Sequence, residues 1–105
     1  MESITRTYSI PLESFTTRLL NAAKNSKTIS SRLELSEVNP ELGTAVYLVK
    51  ILGMETCKAR FSYFKQDETT TQCVVQFFDW PLPTWDNVGN RKIIEKLINK
   101  TFESI

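Results

Sequence analysis

The chain has no histidine in its 105 residues, which removes the commonest general base and the commonest metal ligand together. A Ser-His-Asp or Cys-His catalytic set is therefore impossible. Glycine occurs three times, as Gly43, Gly53 and Gly89, too far apart for a glycine-rich loop that wraps a phosphate. Two cysteines, Cys57 and Cys73, are too few for a disulfide framework, and without His they leave an ordinary zinc site incomplete. No metal and no cofactor are expected. A dominant charge is missing too: 13 basic and 12 acidic side chains leave a formal +1. No global field draws in a polyanion, so nucleic acid is not an expected partner, although a local basic patch stays open. No run approaches the ~18 apolar residues of a membrane span. The opening Met1-Glu2-Ser3-Ile4-Thr5-Arg6 has no basic stretch leading into an apolar core. The expectation is a cytoplasmic protein.

What is present is ordinary globular composition, 41% apolar and 24% charged, over a length that suits one domain, residues 1–105. Ser3 to Ile10 alternates, with Ile4, Arg6, Tyr8 and Ile10 on one face, and reads as a strand. Pro11 suits the first position of a helix. Leu12, Phe15, Leu19, Ala22 and Ala23 then recur at helical spacing up to about Lys24. Four strands follow: Thr28 to Glu37, Thr44 to Leu52, Cys57 to Phe64 and Thr71 to Phe78. Asn39-Pro40-Glu41-Leu42-Gly43 is a turn, because Pro presets one dihedral and Gly tolerates positive φ. After the stiff Asp79-Trp80-Pro81-Leu82-Pro83-Thr84-Trp85 connection, Ile93, Ile94, Leu97, Ile98, Thr101, Phe102 and Ile105 form the stripe of a final helix. Thr84, Asp86 or Asn90 could cap it.

The hairpin registers can be tested against one another, because a one-residue slip sends every side chain to the wrong face. Centring the hairpins on Glu41, Met54 and Glu68 pairs Leu33 with Val49, Val49 with Ala59, and Phe61 with Val75. All three choices put Leu33, Leu35, Tyr47, Val49, Ile51, Ala59, Phe61, Tyr63, Cys73, Val75 and Phe77 on one face. The same register separates Cys57 from Cys73 by roughly 20 Å, so two free thiols are expected. The fold class is α+β, in the order β-α-β-β-β-β-α. An antiparallel five-stranded sheet carries two helices on one face, and the C-terminal helix lies across the sheet.

That order resembles a reduced helix-grip fold, as in the superfamily of START lipid-transfer domains, birch-pollen-type allergens and polyketide cyclases. Tyr8-Ser9-Ile10-Pro11-Leu12-Glu13-Ser14-Phe15, a first strand running through Pro into a helix, carries the resemblance at sequence level. The order is also similar to the TATA-box-binding-protein half-domain. The helix-grip resemblance implies a ligand held between sheet and C-terminal helix. The chain is shorter than full helix-grip proteins, which have more strands and an extra helix or loop closing a cavity.

Two sets of residues are candidates for function. Arg6, Tyr8, Tyr47, Phe61, Tyr63, Trp80 and Trp85 would line a site for a small apolar or amphipathic ligand, with Arg6 orienting its polar group. The plainer reading makes Arg6 an edge residue whose guanidinium reaches solvent or pairs with a carboxylate such as Glu13, and makes both Trp rings pins for the final helix. On the opposite sheet face, Val46, Leu48, Leu52, Phe64, Val74 and Phe78 stand among Lys50, Lys58, Arg60, Ser62 and Gln76. A solvated antiparallel face should be mostly polar, so this one is a candidate interface for a second copy or another protein. Twist and long Lys and Arg stems would cover the same residues if it is not. The leading expectation is a non-enzymatic ligand-binding domain, and the alternative is a protein-interaction module. No catalytic residue is singled out.

Overall fold

The computed structural model describes residues 1–105. Its elements are β1 (Ile4–Tyr8), α1 (Leu12–Asn25), β2 (Ser31–Asn39), β3 (Thr44–Ile51), β4 (Met54–Asp67), β5 (Thr70–Phe78) and α2 (Val88–Ser104), with a 3-10 turn at Pro83–Trp85. The strands form one antiparallel sheet in the order β1-β5-β4-β3-β2. Both helices cover the same face of it. Phe15 of α1 lies 5.0 Å from the Tyr63 ring of β4, and Phe102 of α2 lies 6.0 Å from the Phe61 ring of the same strand. Because α2 reaches from β2 to Tyr8 of β1, it crosses the sheet. The chain thus has the helix-grip topology.

The alternation argument predicts the buried face well. Leu33, Tyr47, Val49, Ile51, Ala59, Phe61, Tyr63, Cys73 and Val75 are all buried beneath the helices. Phe77 is only half-buried, and Leu35 departs furthest at 48% exposure. It lies on the outermost strand, next to a bulge at Ser36 that shifts the register between Leu35 and Glu37. The β2–β3 and β4–β5 pairings match the sequence-derived register, Leu33 with Val49 and Phe61 with Val75.

The β3–β4 hairpin does not. It closes on a two-residue turn, Leu52-Gly53, with both residues at positive φ (53° and 79°), the tightest connection that matches strand twist. Val49 therefore faces Cys57 and Tyr47 faces Ala59, two residues out from the expected pairing, with Thr56 as the extra residue of a bulge. Since the slip is even, every side chain keeps its face.

Boundaries also move: β4 runs from Met54 to Asp67, past both ends of the expected Cys57 to Phe64, and β1 spans only Ile4 to Tyr8. The second strand begins at Ser31, leaving Ile29 in a loop. Pro11 precedes the first turn of α1 instead of opening it. Asn87 caps α2, its side chain accepting from the Asn90 N–H at 2.9 Å, in place of Thr84, Asp86 or Asn90. Cys57 and Cys73 are free and buried.

Gly43 closes the β2–β3 turn at φ +71°, and a Cβ there would run into the Tyr63 carbonyl. Its own carbonyl accepts from the Tyr63 N–H at 2.8 Å, so the turn cannot retreat without losing a backbone hydrogen bond. Gly43→Ala should cost about 2–4 kcal/mol of unfolding free energy, read as a lower urea midpoint. Gly53→Ala, where a Cβ meets open space, should cost about 1 kcal/mol through φ alone.

Candidate functional site

The space between sheet and α2 is filled by side chains. Phe61 is fully buried at its centre, with the Tyr47 ring 5.6 Å away edge-on and the Phe102 ring closing from above. Tyr63 packs on Phe15, and its hydroxyl shares a 2.6 Å hydrogen bond with Thr16 Oγ1. No buried side-chain nitrogen or oxygen lacks a hydrogen-bond partner. Tyr47, Phe61 and Tyr63 are thus members of the core.

Arg6 and Tyr8 stand together at the seam between β1 and α2. Alternation puts both on the helix-covered face, opposite Cys73 and Thr71 of β5. Being on an edge strand, Arg6 reaches past α2 into solvent. Its guanidinium donates to Asn99 Oδ1 at 3.0 Å and to the Thr5 carbonyl at 3.0 Å, and stacks 5.5 Å over Phe102. Glu13 is not its partner; Asn99, 93 residues away in the chain, is. The Tyr8 hydroxyl donates to the Phe102 carbonyl at 2.8 Å, and burial holds it protonated well above the ordinary phenol range. Arg6, Tyr8, Asn99, Phe102 and Glu103 border an open depression of about 350 Å³.

The two tryptophans lie elsewhere. Trp80 is half-buried against the core, while Trp85 borders a separate depression of about 330 Å³ with Ile51, Met54, Thr56 and Asn90. The seven residues named as a ligand site are therefore divided among the core, the Arg6 seam and the far end of α2. Asn99 and Met54 join the two depressions without any local sequence signal, since both belong to polar or turn-adjacent stretches.

The other sheet face has no layer over it. Val46, Leu48, Val74 and Phe78 are half-buried there among their neighbours, and Phe64 is 47% exposed. Leu52, named with this group, sits at the hairpin tip instead, 79% exposed. The cations of the face are engaged. Lys50 and Arg32 share Glu34 at 3.1 and 3.7 Å, Lys58 reaches Asp79 at 3.3 Å, and Arg60 stacks 4.6 Å over Phe78. The Lys50 ammonium holds the Glu34 carboxyl below the usual range.

No three His, Cys, Asp or Glu side chains converge to hold a metal ion. No helix is long and apolar enough to cross a membrane. The chain matches no family model and no curated protein.

Burial pushes the Cys57 and Cys73 thiols and the Tyr47 hydroxyl each up to about 12, with Asp86 adding to the effect at Cys57. In the unfolded chain the thiols ionise near ~8.5. The folded state therefore keeps its protons longer, and stability is complete below about pH 8.5 and is lost as pH rises towards 12. The urea midpoint should fall between pH 7 and pH 10 by an amount equivalent to roughly 1–2 kcal/mol per thiol. A disulfide reagent at pH 8 should label neither thiol in the native protein and both after denaturation.

Proposed function

We propose that the chain is a non-enzymatic protein-interaction module that buries the uncovered face of its sheet against another polypeptide. One observation carries this reading: the sheet has helices on one side only, and its bare side presents Val46, Leu48, Val74 and Phe78 between cations already matched by Glu34, Asp79 and an aromatic ring. Every cation on this face already has a carboxylate or a ring beside it, which lowers the cost of desolvating it. A second copy of the chain answers the same chemistry, because a face that mixes apolar groups with charges of both signs complements itself across a two-fold axis.

The extent of the face sets the strength. Five strands about 4.8 Å apart, over some seven residues each, present about 500 Å² per copy, at the lower edge of specific association. A dimer in the micromolar range follows. The buried free thiols suit a reducing compartment such as the cytoplasm.

A second reading has its own observation. The depression beside Arg6 and Tyr8 offers a guanidinium and an aromatic wall to the polar end of a small amphipathic ligand. Binding there requires Arg6 to exchange Asn99 for the ligand.

Sedimentation velocity over a concentration series tests the leading reading. The wild-type chain should show reversible dimerisation with a midpoint of about 1–100 μM, and Leu48→Glu should shift it to monomer while leaving the thermal midpoint within a few degrees. A wild-type chain that stays monomeric at about 1 mM contradicts the second copy as partner.

A further inference from the structure

One end of the molecule combines features that the sheet-face reading does not use. The loop before β2 and the β3–β4 hairpin tip are tied together there, the Leu52 N–H donating to the Ser30 carbonyl at 2.7 Å. Between them they hold three large apolar side chains out in solvent: Ile29 at 108%, Leu52 at 79% and Met54 at 56% exposure. Leu52 does so at φ +53°, a conformation that γ-branched side chains adopt at a cost and that Asn or Gly takes easily. The chain therefore keeps a strained leucine at a tip where folding alone favours a polar residue.

The charge around these tips is unlike that of the rest of the surface. Lys27 adjoins Ile29, and Lys96 borders a small depression with it. Lys100 donates to the Lys27 carbonyl at 2.7 Å. None of these three ammonium groups has a carboxylate within 4.0 Å. Arg32 and Lys50 border the groove shared by Ile29 and Leu52, and have only Glu34 between them. Glu55, Glu95 and Glu103 are the other carboxylates nearby, and with Lys92 beside Glu95 and Glu103 this end stays net positive. The whole chain carries only +1, so the remaining surface is net acidic.

We propose that this end docks on an anionic membrane surface, with Ile29 and Leu52 entering the boundary between headgroups and acyl chains and Lys27, Lys96 and Lys100 resting on the headgroups. Protruding apolar tips ringed by free lysines fit that partner. Burial of apolar side chains and attraction to anionic lipid add together at such an interface, and each lysine near it strengthens binding. A protein partner fits less well, since lysine is depleted in protein interfaces and their apolar anchors sit in flat or pocketed centres. The proposal does not depend on the sheet face and stands if that face has no partner.

Vesicle co-sedimentation tests it. The chain should bind vesicles of phosphatidylcholine containing roughly one-third phosphatidylserine, weaken as salt rises, and ignore phosphatidylcholine alone. Ile29→Ser and Leu52→Asn should each weaken binding about tenfold, and Lys96→Gln about fivefold. Neither tip variant threatens the fold: Ile29 packs on nothing, and Asn relieves the strain at position 52, so its thermal midpoint should hold or rise. Absence of binding to the anionic vesicles at low salt overturns the proposal. So does binding that Ile29→Ser and Leu52→Asn leave unchanged. Equal binding to immobilised polyglutamate, sensitive to salt but not to the tip variants, would identify an acidic polypeptide as the partner and overturn the lipid assignment.

Discussion

The contact between Phe61 and Phe102 holds the two layers together. Phe61 is fully buried on the long fourth strand, and Phe102 comes down on it from the last turn of the final helix. Around this pair, Tyr47, Phe15, Tyr63 and Tyr8 form a chain of tilted and edge-on rings. Aromatic side chains are large, so a few of them fill the centre of a small interlayer space and leave depressions only at its edges. Both helices of residues 1–105 pack on one side of the sheet, and none of their elements covers the other.

Much of this was legible in the alternation of side chains, and the reason is physical. Face assignment depends only on parity, so the two-residue slip at the β3–β4 hairpin left Tyr47, Val49, Ala59 and Phe61 on the correct side. What alternation cannot see is where a turn tightens. Leucine is a poor residue for positive φ, so Leu52 reads as the end of a strand and the turn is expected one residue too late, centred on Met54. Bulges at Ser36 and Thr56 are equally silent, because an extra residue changes no local propensity. The candidate site was legible only in part. Arg6 and Tyr8 share a face through simple alternation, yet the Asn99 that holds Arg6 comes from the opposite end of the chain and carries no local signal. Tyr47, Phe61 and Tyr63 carry an ambiguous signal, because aromatic residues on an inner face suit a lined pocket and a packed core equally well. Only the ring-to-ring distances separate the two.

The surface divides along the same lines as the layers. On the bare sheet face, every large cation has a carboxylate or an aromatic ring beside it. Around the Ile29 and Leu52 tips, Lys27, Lys96 and Lys100 have none. Matched charges ease the burial of a face against a neutral partner, while free ones keep a field that reaches out to an anionic one. The near-zero net charge of the whole chain conceals this separation, which is why charge arithmetic alone speaks against a polyanion and leaves a local basic patch open.

Native mass spectrometry of the freshly purified protein tests the central claim, that the interior is closed and binding takes place on the outside. The filled interior predicts monomer and dimer at the bare chain mass, with the dimer growing as concentration rises. A small molecule retained in stoichiometric amount by the monomer, and retained equally by Arg6→Ala, would contradict it, because the open depression beside β1 could not then account for the binding.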